Sequence, residues 1–218
     1  MAAHSHHAEI DNFNLDPGLW TRVRNIILFL FLVSAAATGA GYFIDSKQFF
    51  HSYLASFMWA TRILLGALFF LLAGYLAGAA WNVTVRRFSE TMAATLPYGL
   101  ILFIPIALGI HELYHWSHAD VVANDPILQG KAAWLNPQFF MLRAVIYFAI
   151  WTFFAWGVYR NSTKMDTDKN IQHMHSNSRY AAPGMLLVFL ATSFAAFDWL
   201  MSLDPHWFST IFGVYIFA

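Results

Sequence analysis

The sequence contains no cysteine. That excludes disulfides, thiolate metal sites, iron–sulfur ligation and thioether haem attachment for this chain itself. It is also poor in charge: Asp, Glu, Lys and Arg make up 11% of the residues, against about 25% in an ordinary soluble domain. So few charges cannot cover a folded chain with a water-compatible surface. Those present balance, 12 basic against 12 acidic, which leaves no net field to gather a polyanion. The first 21 residues lack both the basic start and the early apolar run of a secretory signal. With His4, His6 and His7 among them, they read as a polar cytoplasmic tail.

What is abundant is apolar. Hydrophobic residues make up 59% of the chain and phenylalanine alone contributes 22; mean hydropathy is +0.51. A helix needs about 20 apolar residues to cross about 30 Å of hydrocarbon. Five segments within a bundle over 22–206 meet that length, at about 26–44, 62–85, 91–110, 137–159 and 180–203, with an earlier start for the second, in HSYLASFMWAT, left open. A shorter apolar run, 207–218, reads as the start of a sixth helix, so the chain is expected to be the front part of a longer protein. The expected fold is all-α, a polytopic transmembrane bundle.

Lysine and arginine set the expected orientation. Arg22, Arg24, Arg86, Arg87, Arg160, Lys164, Lys169 and Arg179 fall on one side of these spans, and only Lys47 and Lys131 on the other. The N-terminus is therefore expected to be cytoplasmic. Gly74 and Gly78 form a G-x-x-x-G step suited to close helix contact, and Pro97 and Pro105 should bend the third span.

Two ionisable residues lie at depth, where charge is expensive and marks function or a structural pair. Arg143 follows Pro137 by six residues and Asp198 precedes Asp204 by six, so each sits roughly 9 Å inside its helix end at 1.5 Å per residue. Matching depth and opposite charge predict an interaction inside the bundle. One reading is an ion pair that fixes helix register; the other is a proton relay or the polar wall of a quinone pocket. His111, Glu112, His115, His118, Asp204 and His206 lie at the same side and offer groups that exchange protons near neutrality.

The stretch 108-LGIHELYHWSHAD-120 also spells H-E-x-x-H. On one helix, His111 and His115 would share a face and bind zinc while Glu112 activates water, the chemistry of a metalloprotease. Against that reading, the motif follows an apolar run that already spans a membrane, which leaves His115 and His118 at the water interface. The acid in SLDPHW also lacks the surroundings of the intramembrane protease class.

Taken together, HELYHW, NPQFFMLRAVIYFAIW and FAAFDWLMSLDPHWFSTIFGVYIFA resemble a polytopic membrane subunit of alternative complex III, the bacterial quinol:electron-acceptor oxidoreductase. The one they resemble is the smaller relative of that complex's larger quinone-binding subunit. It is related to the polysulfide/nitrite-reductase type of quinone-binding membrane subunit. The resemblance runs from about residue 20 to the end. It implies about ten transmembrane helices, of which this chain holds the first half, in the bacterial inner membrane. It also implies partners: a related quinone-binding membrane subunit, a large iron–sulfur protein, multihaem and monohaem cytochromes c, small membrane subunits and a terminal oxidase. Haem c and iron–sulfur clusters would sit in those partners, with no cofactor on this chain beyond a quinol, and no metal. The matched positions are Glu112, Tyr114 and Trp116, with His115 at a variable place. Arg143, Asp198, Asp204 and His206 fall in matching phrases. With His111 and Glu112 they are the expected proton-transfer or quinone-pocket residues. A scaffold role without proton transfer stays open beside this, as does the zinc reading.

Overall fold

The computed structural model describes residues 16–79, 81–168, 170 and 172–217; His4, His6, His7 and Lys169 lie outside them. Every regular element among the described residues is helical. By its contacts the chain divides into residues 1–49 and 50–218.

In the first unit, α1 (Pro17–Ile44) starts earlier than expected. Asp16 caps it by accepting from the Gly18 amide at 3.1 Å, and Pro17 occupies the first turn, where its missing N–H costs nothing. Residues 17–21 thus belong to a helix and not to the tail. None of α1 is buried. The Tyr42 and Phe49 rings meet edge to face at 5.6 Å.

α2 (Ser46–Leu76) also starts well before the expected Arg62. Asp45 explains the start: its side chain accepts from the Gln48 amide at 3.0 Å. The polar residues after it are carried by an apolar face of Phe50, Leu54, Phe57 and Met58, all buried. At the far end the expected G-x-x-x-G contact becomes a helix stop. Gly78 has φ +58°, its amide donates to the Tyr75 carbonyl, and the Ala79 amide donates to the Gly74 carbonyl. This pair of bonds closes a helix with a left-handed residue, which glycine adopts without steric cost.

The third segment is broken. α3 (Val83–Ala93), α4 (Tyr98–Leu102) and α5 (Ile104–Leu108) replace one continuous span. α3 meets the following pair at a 43° bend. Pro97 stands at the N-cap of α4 and Pro105 in the first turn of α5, so each proline opens a new helix after interrupting the last. Side chains fill the gaps: Tyr53 donates to the Leu102 carbonyl at 2.7 Å and the Trp156 indole to the Ala94 carbonyl at 3.4 Å. α3 carries Arg86 and Arg87, which are therefore helical and not in a connecting loop.

α6 (Ile110–Leu113), a 3-10 turn (His115–Ser117), α7 (Ala119–Asn124) and α8 (Pro126–Lys131) form a layer at one end of the second unit, its upper end. From there α9 (Pro137–Asp168) descends and α10 (Gln172–Trp199) returns, packed along α9. Their approach is close at Gly184, where a Cβ would lie 2.8 Å from the Phe154 ring. α11 (Phe212–Phe217) follows a second 3-10 turn, Met201–Leu203. Among the described residues, four helices are long and apolar enough to cross a membrane, or five if the bent segment counts as one.

Candidate functional site

The bundle core is aromatic. Phe57, Phe103, Phe148, Trp151 and Trp199 are all buried, with the Trp199 ring 4.9 Å from Phe103 and 5.8 Å from both Phe148 and Trp151. Such pairs add roughly 0.5–1.5 kcal/mol each beyond burial. One residue before Trp199, α10 presents Asp198 to α9. Arg143 and Tyr147, four apart, share the α9 face that meets it.

The expected pair is therefore formed. The Arg143 guanidinium grips Asp198 with two bonds, Nε to Oδ2 at 2.6 Å and Nη2 to Oδ1 at 2.9 Å. The Tyr147 hydroxyl donates to Oδ2 at 2.6 Å, and the Trp134 indole to Oδ1 at 2.9 Å. A carboxylate offers about four acceptor sites, so these four donors saturate Asp198. Arg143 spends a third donor on the Trp134 carbonyl at 2.9 Å. Its cationic carbon lies 4.2 Å from the Trp134 ring centre and 4.5 Å from that of Phe139, within cation–π range of both. Both charges are buried, Arg143 at 4% and Asp198 at 1% exposure. With every hydrogen-bonding site filled, the Asp198 carboxylate is held in one orientation between Arg143, Tyr147 and Trp134.

HELYHW has a separate job. The last carbonyls of a helix lack partners within it, and α10 ends under the upper layer. Tyr114 donates to the Trp199 carbonyl at 2.9 Å, the Trp116 indole to the Ser202 carbonyl at 3.1 Å, and the Ser202 hydroxyl to the Asp198 carbonyl. Tyr114 and Trp116 are buried, and burial, then the Asp198 charge, pushes the Tyr114 phenol pKa up. The stretch is a clamp on the end of α10.

That clamp breaks the zinc geometry. α6 stops at Leu113, Tyr114 is extended at φ −119° and ψ 116°, and His115 opens the 3-10 turn. His111 and His115 share no helical face. Among the described residues, no group of three or more His, Asp or Glu is placed to hold a metal.

The other sequence candidates do not gather into one cluster. His111 Nδ1 lies 3.1 Å from the Ser117 hydroxyl, and His118 Nε2 lies 2.8 Å from the His111 carbonyl. Glu112 is exposed. His206 pairs instead with Asp125, Nε2 to Oδ2 at 2.7 Å, and Asp204 accepts from the His206 amide at 3.2 Å. Slight desolvation works against ionising Asp125, but the Ile127 and Leu128 amides and His206 outweigh it and hold its carboxyl below the ordinary range.

Beside the Arg143–Asp198 pair lies a groove of about 300 Å³ lined by Lys131, Trp134, Phe197, Met201, Trp207 and Phe208. Trp134 is the shared wall: its ring faces the groove and its N–H faces Asp198. Sequence reasoning missed Trp134 and Tyr147 because neutral side chains carry no depth signal. It also missed Glu90, 1% exposed, which accepts from the Tyr75 hydroxyl at 3.0 Å and pairs with Arg87 at 3.1 Å. The R-R-x-x-E spacing held that signal, since residues three and four apart meet on a helix.

Compared with protein-family models and with curated proteins, the sequence matches none of them.

Proposed function

We propose that the chain is an integral membrane component of a respiratory quinol:electron-acceptor oxidoreductase complex, with five spans and its N-terminus on the cytoplasmic side of a bacterial inner membrane. Its partners in this reading are a related quinone-binding membrane protein, an iron–sulfur protein and cytochromes c, which hold the redox groups. Within the complex the upper end of the bundle supplies the wall of a quinone-ring pocket.

The observation that carries this reading is the position of Trp134, between a saturated buried ion pair and an apolar aromatic groove. A quinone ring is flat and apolar with polar edges, and pockets for such ligands combine aromatic walls with few polar groups. Arg143 and Asp198 hold that wall rigid. Lys131, whose Nζ donates to the Pro205 carbonyl at 2.5 Å, is the cation at the groove's edge. Asp198 acts here as the anchor that holds Arg143, Tyr147 and Trp134 in place, through the four donors that fill its acceptor sites.

Purification of the intact assembly from native membranes tests the reading. Co-purifying c-type haem and quinol-driven reduction of an acceptor are expected, with Trp134→Ala raising KM for quinol more than it lowers kcat. An assembly without c-type haem, or a Trp134→Ala complex with unchanged quinol kinetics, overturns it.

A further inference from the structure

The Glu90 side chain on α3 is fully shielded, at 0% exposure, yet only one of its oxygens is hydrogen-bonded. Oε1 accepts from the Tyr75 hydroxyl. Oε2 lies 3.1 Å from Arg87 Nη1, but the two are not aligned for a hydrogen bond, and among the described residues neither atom has one. The other Arg87 amino group, Nη2, is committed to Asp166 on α9.

A third buried polar atom without a partner faces them from α9. The two helices run antiparallel: the Trp156 indole reaches the Ala94 carbonyl, and Asp166 meets Arg87. Three residues past Arg87, Glu90 thus stands opposite α9 about one turn above Asp166. Ser162, four residues before Asp166, shares its face and is the buried residue at that level. A second route gives the same level. The Tyr75 hydroxyl that bonds Glu90 also meets the Asn177 amide, and Asn177 is bonded to α9 at the Val158 carbonyl and at Asn161. Helical serines and threonines often turn their hydroxyls onto the carbonyl four residues back, as Thr163 and Thr192 do. Ser162 does not. The Val158 carbonyl takes Asn177 instead, and the Ser162 hydroxyl has no hydrogen-bond partner among the described residues, at 1% exposure.

Buried polar side chains nearly always have a partner. Here one donor, one acceptor and one hydroxyl face each other without bonding directly. A cation between them would meet the Arg86 and Arg87 guanidiniums, and an anion would meet the Glu90 carboxylate. A neutral molecule that both donates and accepts suits all three. We propose that one internal water joins α3 to α9 here, accepting from Arg87 Nη1 and the Ser162 hydroxyl and donating to Glu90 Oε2. Three bonds are the usual number for a buried water. The water fixes the first piece of the broken segment against α9 where side chains alone do not meet. Every group named lies within residues 50–218, and the inference rests on neither the membrane reading nor the respiratory one.

Electron cryomicroscopy of the full-length protein in lipid nanodiscs, at a resolution that shows ordered water, tests it. Density is expected within about 3.2 Å of Glu90 Oε2, Arg87 Nη1 and the Ser162 hydroxyl together. No density there, or a Ser162 hydroxyl bonded to the Val158 carbonyl or directly to Glu90, overturns the proposal. A double-mutant cycle of Ser162→Ala and Glu90→Gln, unfolded reversibly by SDS in mixed micelles, gives a second measure. Groups that share a water are coupled, whereas independent sites add. The change that Ser162→Ala makes in the folded-to-unfolded ratio should differ at least about threefold between the starting protein and Glu90→Gln. Comparing the two backgrounds cancels alanine's own helix preference. A smaller difference overturns the proposal.

Discussion

Breaking the Arg143–Asp198 pair and replacing it should have opposite consequences. In Asp198→Asn the carboxylate charge disappears and one of the two oxygens becomes an NH2. Whichever way the amide turns, its nitrogen faces an Arg143 donor, Nε or Nη2, that cannot turn away; Tyr147 can rotate, but the guanidinium cannot. The result is a donor–donor contact beside a cation left without its partner at 4% exposure. Breaking a buried pair in this way costs about 3–5 kcal/mol, a shift of at least about a hundredfold in the folded-to-unfolded ratio. Arg143→Met with Asp198→Leu removes both charges and their desolvation together, so it should lie within about 1 kcal/mol of the starting protein or above it. Tyr147→Phe deletes one charge-assisted bond out of four and should fall between, at about 1.5–3 kcal/mol. Heating the detergent-solubilised protein and following the monodisperse fraction ranks the four. The reasoning fails if Asp198→Asn is no worse than Tyr147→Phe, or if the apolar double variant is as unstable as the single one.

Two further outcomes follow from geometry. Gly184→Ala puts a methyl 2.8 Å from Phe154 and 3.2 Å from Leu72 and should destabilise by about 1–3 kcal/mol through overpacking, whereas Gly66→Ala meets nothing within 4 Å and should gain up to about 1 kcal/mol in the isolated chain; the same heating assay reads both. Asp125 carries a depressed carboxyl pKa, so its hold on α8 and His206 is present above the ordinary value of 3.8 and is lost as pH falls through the folded value. Amide exchange across 125–131 should accelerate between pH 5 and pH 3 beyond the intrinsic rate, and Asp125→Asn should remove that acceleration; equal protection at both pH values refutes the assignment.

The helical class and the charged pair were legible because both rest on strong local signals. Apolar runs announce helices, and an arginine and an aspartate at matching depth announce each other. Boundaries were less visible. α2 reaches back to Ser46 because Asp45 caps it and because its histidine and serines ride on a face anchored by Phe50 and Leu54, which hydropathy averages away. The G-x-x-x-G step misled because a contact motif and a helix stop share a spelling, and only the φ of Gly78 separates them. H-E-x-x-H, already disfavoured by its place after a complete apolar run, has meaning only on a continuous helix, and α6 ends at Leu113 with Tyr114 extended. The neutral partners of Asp198 are visible only once α9 and α10 are laid face to face.

The broken third segment bears on how the chain is made. A continuous span satisfies its own backbone and can leave the translocon alone, whereas this one has carbonyls that depend on other elements. Tyr53, bonded to Leu102, has been synthesised before it, but Trp156, bonded to Ala94, lies 62 residues downstream. The segment therefore completes its hydrogen bonding only after α9 has emerged. In the membrane reading proposed above, insertion of the third and fourth segments is in that sense one event, and the order of synthesis is built into the bend.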